Sequence, residues 1–347
     1  MPVHNAAPYL DDAIGSILNQ TFREFEFVIL DDGSTDGSAE KLHDWTTRDS
    51  RIRLHRQERN SGPAESSNLV VQNARGSLIA RMDADDVCYP ERLQQQVELL
   101  NRRPEVGLVG TLCDVIDKDG HAVRARDLWR LTRRSWFAPF PHGSIMCRRE
   151  LFELAGGYRE QCVYWEDQDM FLRMSAHTRV VTMPQTLYRH RQSQVSTRLV
   201  SKAAYVEQSV DLMYRCIDAL AHGNGYEDVL AQGPRSDAVD PRVFVSLGSL
   251  ELWAGERPRY FDRLLKRGDL RLNFRSASAL IWTLWARLSP STLRAFMRGL
   301  SSLRNASAGI APTDAIDWAM PRPFASTAAL QPPGSVRPER PLPSGQG

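Results

Sequence analysis

Short apolar runs alternate with amphipathic stretches over the first eighty residues. Leu10, Ile14, Ile17 and Leu18 recur at helical spacing, and Pro8 suits the first turn of that helix. Phe25 to Leu30 is a short, mostly strand-favouring run closed by the polar loop Asp31-Asp32-Gly33-Ser34-Thr35-Asp36-Gly37. The pattern continues with a helix through Trp45 and a short strand over Ile52 to Leu54. A turn at Asn60-Ser61-Gly62-Pro63 then feeds a helix that carries Asn68 and ends near Ala74-Arg75-Gly76, and a strand follows over Leu78 to Met82. Strands alternating with helices predict a parallel, doubly wound α/β sheet, which places ligands beyond the carboxyl ends of its strands.

Asp31, Asp32, Asp83 and Asp85 all fall at such ends. In an extended segment Asp83 and Asp85 point to one side, so both can reach one divalent cation or a ligand carrying it. An isolated Asp-x-Asp is ordinarily a turn. Here a second acidic cluster follows another strand, and the two could converge on one crevice, one near a nucleoside and the other near its diphosphate. The chain has no G-x-G-x-x-G or Walker-type loop to hold phosphates on backbone amides, and a metal is the natural substitute.

These residues resemble glycosyltransferase family 2. The matching pieces are Pro2-Val3-His4-Asn5, Ser16 to Thr21, Asp31 to Asp36, Asn60-Ser61-Gly62 with Asn68, and Ala80-Arg81-Met82-Asp83-Ala84-Asp85-Asp86. Pro90 to Leu93, His142-Gly143-Ser144, Gly156-Gly157-Tyr158, Trp165 to Asp169 and Leu187-Tyr188-Arg189 follow in the family's order. The resemblance implies a GT-A catalytic domain over residues 1–198, its sheet mostly parallel, with a Rossmann-like donor half over 1–113 and an acceptor half over 114–198. It also implies transfer of a hexose-type sugar from a nucleotide-sugar, a UDP-sugar foremost, to an acceptor hydroxyl with inversion. Asp85 would hold Mn²⁺ or Mg²⁺, and Asp83 would contact the ribose or share the metal. Asp31 and Asp32 would accept hydrogen bonds from the uracil or ribose, and Pro2, Val3 and Asn5, with the main chain through His4, would flank the base. A bound cation stabilises the negative charge that develops on the departing diphosphate.

Inverting displacement needs a carboxylate on the opposite face of the sugar. Asp167 is that candidate by the same resemblance, placed before the amphipathic stretch Met170, Phe171, Leu172, Met174, where a helix start is expected to lower its pKa. Trp165, Glu166 and His142 are candidate acceptor contacts, and Arg81 a candidate phosphate contact only, because its strand could be buried on both faces. Two departures from the family stand out. Arg191 occupies the position where many relatives carry a metal-side His, with His190 just before it; an Arg can neutralise phosphate but cannot ligate a cation. Few apolar residues precede Pro2, so the first strand is expected to be clipped, exposing backbone groups of what would be a central strand.

Composition fits a folded protein: the net charge is +2 and 42% of residues are hydrophobic, which indicates neither a nucleic-acid binder nor a disordered chain. Cys88, Cys113, Cys147, Cys162 and Cys216 lack metal-ligand spacing and suit reduced packing residues of a cytosolic protein. A helical region is expected over 199–308, with Val206, Val210, Met213, Ile217 and Leu220 on one face, and a disordered Pro-rich tail over 309–347. Within that region 277–300 reads first as core or partner-packing helices. Its second reading is peripheral contact with the inner face of the cell membrane, near a glycan or lipid-linked acceptor. The competing functions are a non-catalytic or truncated scaffold, kept open by the clipped strand, and a nucleotidyltransferase, which the Glu166-Asp167 element argues against.

Overall fold

The computed structural model describes residues 1–123, 140–162, 165–191, 203–221, 225–233 and 316–318. Within the helical region expected over 199–308, the segment 277–300 lies outside them.

Three strands, β1 (Pro2–Val3), β2 (Phe27–Asp32) and β3 (Ile52–Gln57), form a parallel sheet in that order. All six residues of β2 are buried, as expected of a parallel strand covered on both faces. Helix α1 (Leu10–Leu18) packs Leu10, Ala13, Ile14, Ile17 and Leu18 into this core, and α2 (Ser38–Arg48) adds Leu42. Each such Leu or Ile, fully buried, stabilises the fold by roughly 1.5–3 kcal/mol. The first strand is two residues long and, among the described residues, sits at the edge of this sheet rather than at its centre. Its backbone is paired nonetheless: the Met1 carbonyl accepts from Leu30 N at 3.0 Å, and the Met1 amine donates to the Val28 carbonyl at 2.8 Å. At the carboxyl end of β2 the chain must turn sharply. Gly33 has φ 68°, and a Cβ there would lie 2.8 Å from the Arg59 carbonyl carbon, so only glycine fits.

Helix α3 (Pro63–Asn73) starts with proline in its first turn and leads to β4 (Leu78–Ala80). The acidic turn 83–86 follows, then β5 (Val87–Cys88), α4 (Arg92–Arg102), β6 (Val106–Ile116) and β7 (Ala122–Val123). A short 3₁₀ turn at His142–Ser144 precedes β8 (Met146–Arg148), α5 (Arg149–Leu154), α6 (Glu166–Ser175) and β9 (Arg179–Arg191). This second sheet runs β10-β9-β6-β8-β4, with β5 on β9 and β7 on β6, where β10 is Ile316–Trp318. Only the β6–β9 ladder in it is parallel; β4–β8, β6–β8, β6–β7, β5–β9 and β9–β10 are antiparallel. The α/β architecture thus matches the sequence pattern, while the parallel character is confined to the first sheet and the β6–β9 pair. β10 lies inside the stretch read as a disordered tail and pairs with Val180 to Thr182, which corrects that reading for those three residues.

Helices α7 (Ala203–Ala221) and α8 (Glu227–Gln232) follow β9. Val210 and Met213 of the expected apolar face are buried, and Arg215 of α7 donates to the carbonyls of Gly233 and Val229 at 3.0 and 3.4 Å, tying the two helices together. All five cysteines are buried free thiols, in keeping with packing roles.

Arg92 is fully buried and acts as a strut between strand ends. Its guanidinium donates to the carbonyls of Arg81 at 2.6 Å and Ile145 at 3.1 Å, to Gln96 Oε1 at 3.1 Å and to Cys88 Sγ at 2.9 Å. Close packing across β6 yields a stability test. A Cβ at Gly110 would lie 2.1 Å from Cγ of the buried Phe140 ring. Gly110→Ala should therefore cost about 1–3 kcal/mol, read as a lower urea midpoint at unchanged m-value.

Candidate active site

The first sheet delivers the predicted nucleoside end. Asp31 and Asp32 terminate β2 at 1% and 3% exposure. The Asp32 carboxylate accepts from Ser61 N and Oγ, both at 2.9 Å, and from Gly62 N at 3.2 Å, so it organises the loop before α3. Asp31 Oδ1 accepts from Ser34 N at 3.0 Å. Its Oδ2 is buried without a hydrogen-bond partner among the described residues, and the exposed Arg56 lies 3.4 Å from it. Pro2 and Val3 pair with Leu30 and Asp31. His4 Nδ1 donates to the Asp32 carbonyl at 2.8 Å, and Asn5 Oδ1 accepts from Thr35 N at 2.8 Å. Asn5 holds φ 52°, a left-handed conformation that Asn tolerates better than most residues. The donor residues read from the sequence thus come together, with Asp31 rather than Asp32 keeping an acceptor oxygen to offer.

The acidic turn between β4 and β5 is held over β9. Asp86, at 1% exposure, accepts from Arg191 N at 2.7 Å through Oδ1 and from His190 Nδ1 at 3.2 Å through Oδ2. Burial works against a charge on His190, but Asp86, then Asp85 and Asp83, raise its pKa to about 9, leaving it cationic at neutral pH. Arg191 comes to the turn as expected, yet its side chain is committed to the protein. It donates to the carbonyls of Asp85 (2.6 Å), Asp117 (3.3 Å) and Lys118 (3.1 Å) and to Asp12 Oδ2 (3.0 Å), and its guanidinium stacks 5.0 Å from the Tyr9 ring. It fixes the Asp85 peptide rather than presenting a bare cation.

Arg81 faces this site and not the opposite side of the strand. It donates to Asp83 Oδ1 at 3.0 Å and to Ser67 Oγ at 2.8 Å, with its guanidinium 5.6 Å from the Tyr158 ring centroid. Burial opposes ionisation of Asp83, but Arg81, with the cationic His190, holds its carboxyl below the usual range. The other oxygen, Oδ2, is packed against Gly143, where a Cβ would stand 2.7 Å from it and 1.9 Å from Tyr188 Oη, so only glycine allows this close approach. Two half-buried aspartates separated by one residue are a donor set suited to a hard divalent cation. A separate trio, Asp117, Asp119 and His121, lies within metal-ligand reach of itself. It belongs to the hairpin turn between β6 and β7, where Asp117 accepts from the Asp119 and His121 amides and Lys118 pairs with Asp119.

Helix α6 brings Glu166 and Asp167 in its first turn. The helix start was expected to lower the Asp167 pKa; instead burial raises it, against hydrogen bonds from Gln168 N (2.7 Å) and Nε2 (3.1 Å) and the field of Arg81. Removing two adjacent carboxylates from water outweighs the helix dipole. Glu166 moves further: burial first and Asp167 second push it up to about 7, and its Oε2 has no hydrogen-bond partner among the described residues. Arg81 also acts on both carboxyls, so the acidic turn and the head of α6 share one electrostatic environment. Trp165, at 1% exposure, is a core residue in this structure and presents no stacking face to an acceptor. His142 shares a 2.7 Å hydrogen bond between Nε2 and the Tyr158 hydroxyl. Burial and Arg81 push its pKa well below 6.5, keeping it neutral.

Comparisons with known proteins identify the family. The family model described as glycosyl transferase family 2 matches residues 1–157. The glycosyltransferase named EpsE, from Bacillus subtilis, is 31% identical over 224 residues, covering 62% of this chain and 80% of its own. The chain belongs to glycosyltransferase family 2.

This glycosyltransferase is also 35% identical over 102 residues to the B. subtilis protein named as teichuronic acid biosynthesis glycosyltransferase TuaG, spanning 29% of this chain and 40% of that one. Its fold matches the mannosyltransferase PcManGT of Pyrobaculum calidifontis, solved with GDP-Man and Mn²⁺, at TM-score 0.55 and 20% identity over 89% of this chain and 86% of that one. Family membership sets aside the scaffold and nucleotidyltransferase readings. Among the described residues no helix is long and apolar enough to cross a membrane. Sequence reasoning overlooked Asp86, Tyr158, Tyr188 and Gly143 as builders of the site, although each stands inside a motif it quoted.

Because the folded-state pKa of Glu166 lies above its ordinary 4.5, protonation favours the fold, and stability is lost as pH rises through about 7. Glu166→Gln should raise stability at about pH 8 by ~1–3 kcal/mol, the gain shrinking toward zero near pH 4. Denaturant titrations at the two pH values check this.

Proposed function

We propose that this glycosyltransferase moves a hexose-type sugar from a UDP-sugar to an acceptor hydroxyl of a growing glycan, with inversion and with Asp167 as general base. The observation that carries the reading is the half-buried Glu166-Asp167 pair, whose carboxyls share the field of Arg81 with Asp83. Chemistry at an anomeric carbon needs both parts: a carboxylate to accept a proton on one side, and groups that tolerate a diphosphate on the other. The acceptor oxygen attacks the anomeric carbon while Asp167 takes its proton. The bond from that carbon to the phosphate oxygen breaks, and the nucleoside diphosphate leaves with the electron pair.

The raised pKa of Asp167 suits this role, since a stronger base accepts the proton more readily once ionised. Asp85 and the Oδ2 of Asp83 would hold a divalent cation, whose chemistry when bound is Lewis-acid stabilisation of the departing diphosphate. His190, cationic beside the turn, adds positive charge on the same side. Asp31 Oδ2, which faces Arg56 at 3.4 Å and accepts no hydrogen bond among the described residues, suits a base that carries a lactam N–H, which uracil and guanine both do and adenine and cytosine do not. Arg56 is 66% exposed and can swing aside to admit it. The name of TuaG, which refers to teichuronic acid biosynthesis, supports a bacterial glycan as acceptor. A cytoplasmic setting belongs to the same proposal.

Calorimetric titration of UDP and GDP with Mn²⁺ or with EDTA tests the donor half of the reading. UDP should bind only with metal, and Asp85→Asn should abolish that binding; tighter binding of GDP would reassign the donor. For the base, Asp167→Asn should lower turnover by about 10²- to 10⁴-fold while leaving UDP affinity within twofold. A variant that retained full turnover would remove Asp167 from the mechanism.

A further inference from the structure

The third acidic residue at the head of α6 is Asp169, and it faces away from the chemistry. It is fully buried, and its two oxygens are taken by different parts of the fold. Oδ2 pairs with Arg173 one turn later, through Nε at 3.0 Å and also through Nη2. Arg173 in turn donates to the carbonyls of Ala155 and, at 2.6 Å, Gly157, the loop from which Tyr158 reaches His142. Oδ1 accepts from the hydroxyl of Tyr226 at 2.6 Å. Tyr226 stands at the start of α8, beyond the catalytic-domain boundary at 198 read from the sequence. It is 1% exposed and is covered by the guanidinium of Arg159 at 5.3 Å. Arg159 also lies 3.7 Å from Asp169 Oδ1 and pairs at 2.7 Å with Glu227 of α8.

We infer that Tyr226 is a positioning residue for the catalytic helix: its hydroxyl, held on α8, fixes the first turn of α6 through Asp169 and thereby sets where Asp167 stands. Asp167 precedes Asp169 by two residues in the same helical turn, so a shift that relieves Asp169 also moves the proposed base. The carboxylates of Glu166 and Asp167 repel each other in a buried setting and gain from any tether that keeps their turn from opening. One residue of α8 supplies that tether from outside, while Arg173 supplies the one from within the helix. The helical segment after β9 is on this view part of the active-site support and not an appendage. Misplacing a catalytic group by a fraction of an ångström is enough to slow chemistry without touching substrate binding.

This inference rests on Asp167 being the base, and the test separates the two. Tyr226→Phe keeps the ring and its stack with Arg159 and removes only the hydroxyl. Three quantities are measured on the full chain, for wild type, Tyr226→Phe, Arg159→Lys and Asp167→Asn. They are hydrolysis of whichever of UDP-glucose, UDP-galactose and UDP-N-acetylglucosamine wild type cleaves fastest, UDP affinity with Mn²⁺, and amide hydrogen exchange at residues 166–170. Tyr226→Phe should slow hydrolysis ~10-fold with UDP affinity within twofold and with faster exchange confined to those five residues. Arg159→Lys should move the same readouts in the same direction by less, and it carries the test if the Phe variant does not fold. An unchanged hydrolysis rate, or a loss of rate and UDP affinity together with exchange raised throughout the chain, would overturn the positioning role. If Asp167→Asn is as active as wild type, or if wild type cleaves none of the donors, the base reading fails. The exchange data then decide the tether alone, and exchange at 166–170 equal to wild type sinks it.

Discussion

Repulsion among carboxylates brought close together is the constraint on which the rest of this structure depends. Asp83, Asp85 and Asp86 crowd one turn, Glu166 and Asp167 crowd the head of one helix, and Arg81 feels members of both groups. Left unpaired in a partly buried crevice, such charges would protonate or push the elements apart. Each group meets this differently. Asp83 has Arg81, Asp86 has His190 and the Arg191 amide, and the Asp85 carbonyl is held by the Arg191 side chain. Glu166 and Asp167 receive less compensation, and their pKa values rise.

That contrast has functional sense. Carboxylates kept ionised by fixed cations suit a site for a metal and a diphosphate, whereas a carboxylate with a raised pKa suits proton transfer. The fold produces the contrast by topology. The acidic turn is clamped by the end of β9, which runs parallel to β6 over the longest ladder in the molecule. The α6 turn is anchored by Asp169 to Arg159 before it and Tyr226 after it in sequence. Arg92 bonds the carbonyls of Arg81 and Ile145, so the acidic turn and the turn at His142 to Ser144 stand on one strut.

Much of this was legible in the chain. Alternating apolar runs placed β2, β3, α1 and α3 close to where they lie, because hydrophobic periodicity reports directly on which face is buried. Asp83 and Asp85 could be named as candidates from residue type and spacing at a strand end, and Asp167 from the resemblance of its segment to the family. The mixed strand directions of the second sheet could not be read, since a strand's own sequence does not state the orientation of its partner. Nor could the pairing of β10 with β9, which joins segments more than a hundred residues apart.

The electrostatic identity of the site residues was decided by tertiary structure alone. The sequence determined that Asp167 opens a helix, and a helix start by itself lowers a carboxyl pKa; burial beside Glu166 reversed the sign. Arg191 was legible as a cation near phosphates, but its commitment to Asp12 and three carbonyls depends on loops far away in the chain. His190 with Asp86, and Tyr226 with Asp169, are partners separated by 104 and 57 positions. Local sequence sets which groups are available and which way a segment is inclined to fold. The field each group feels comes from whatever packs against it, and that is settled only when the chain closes on itself.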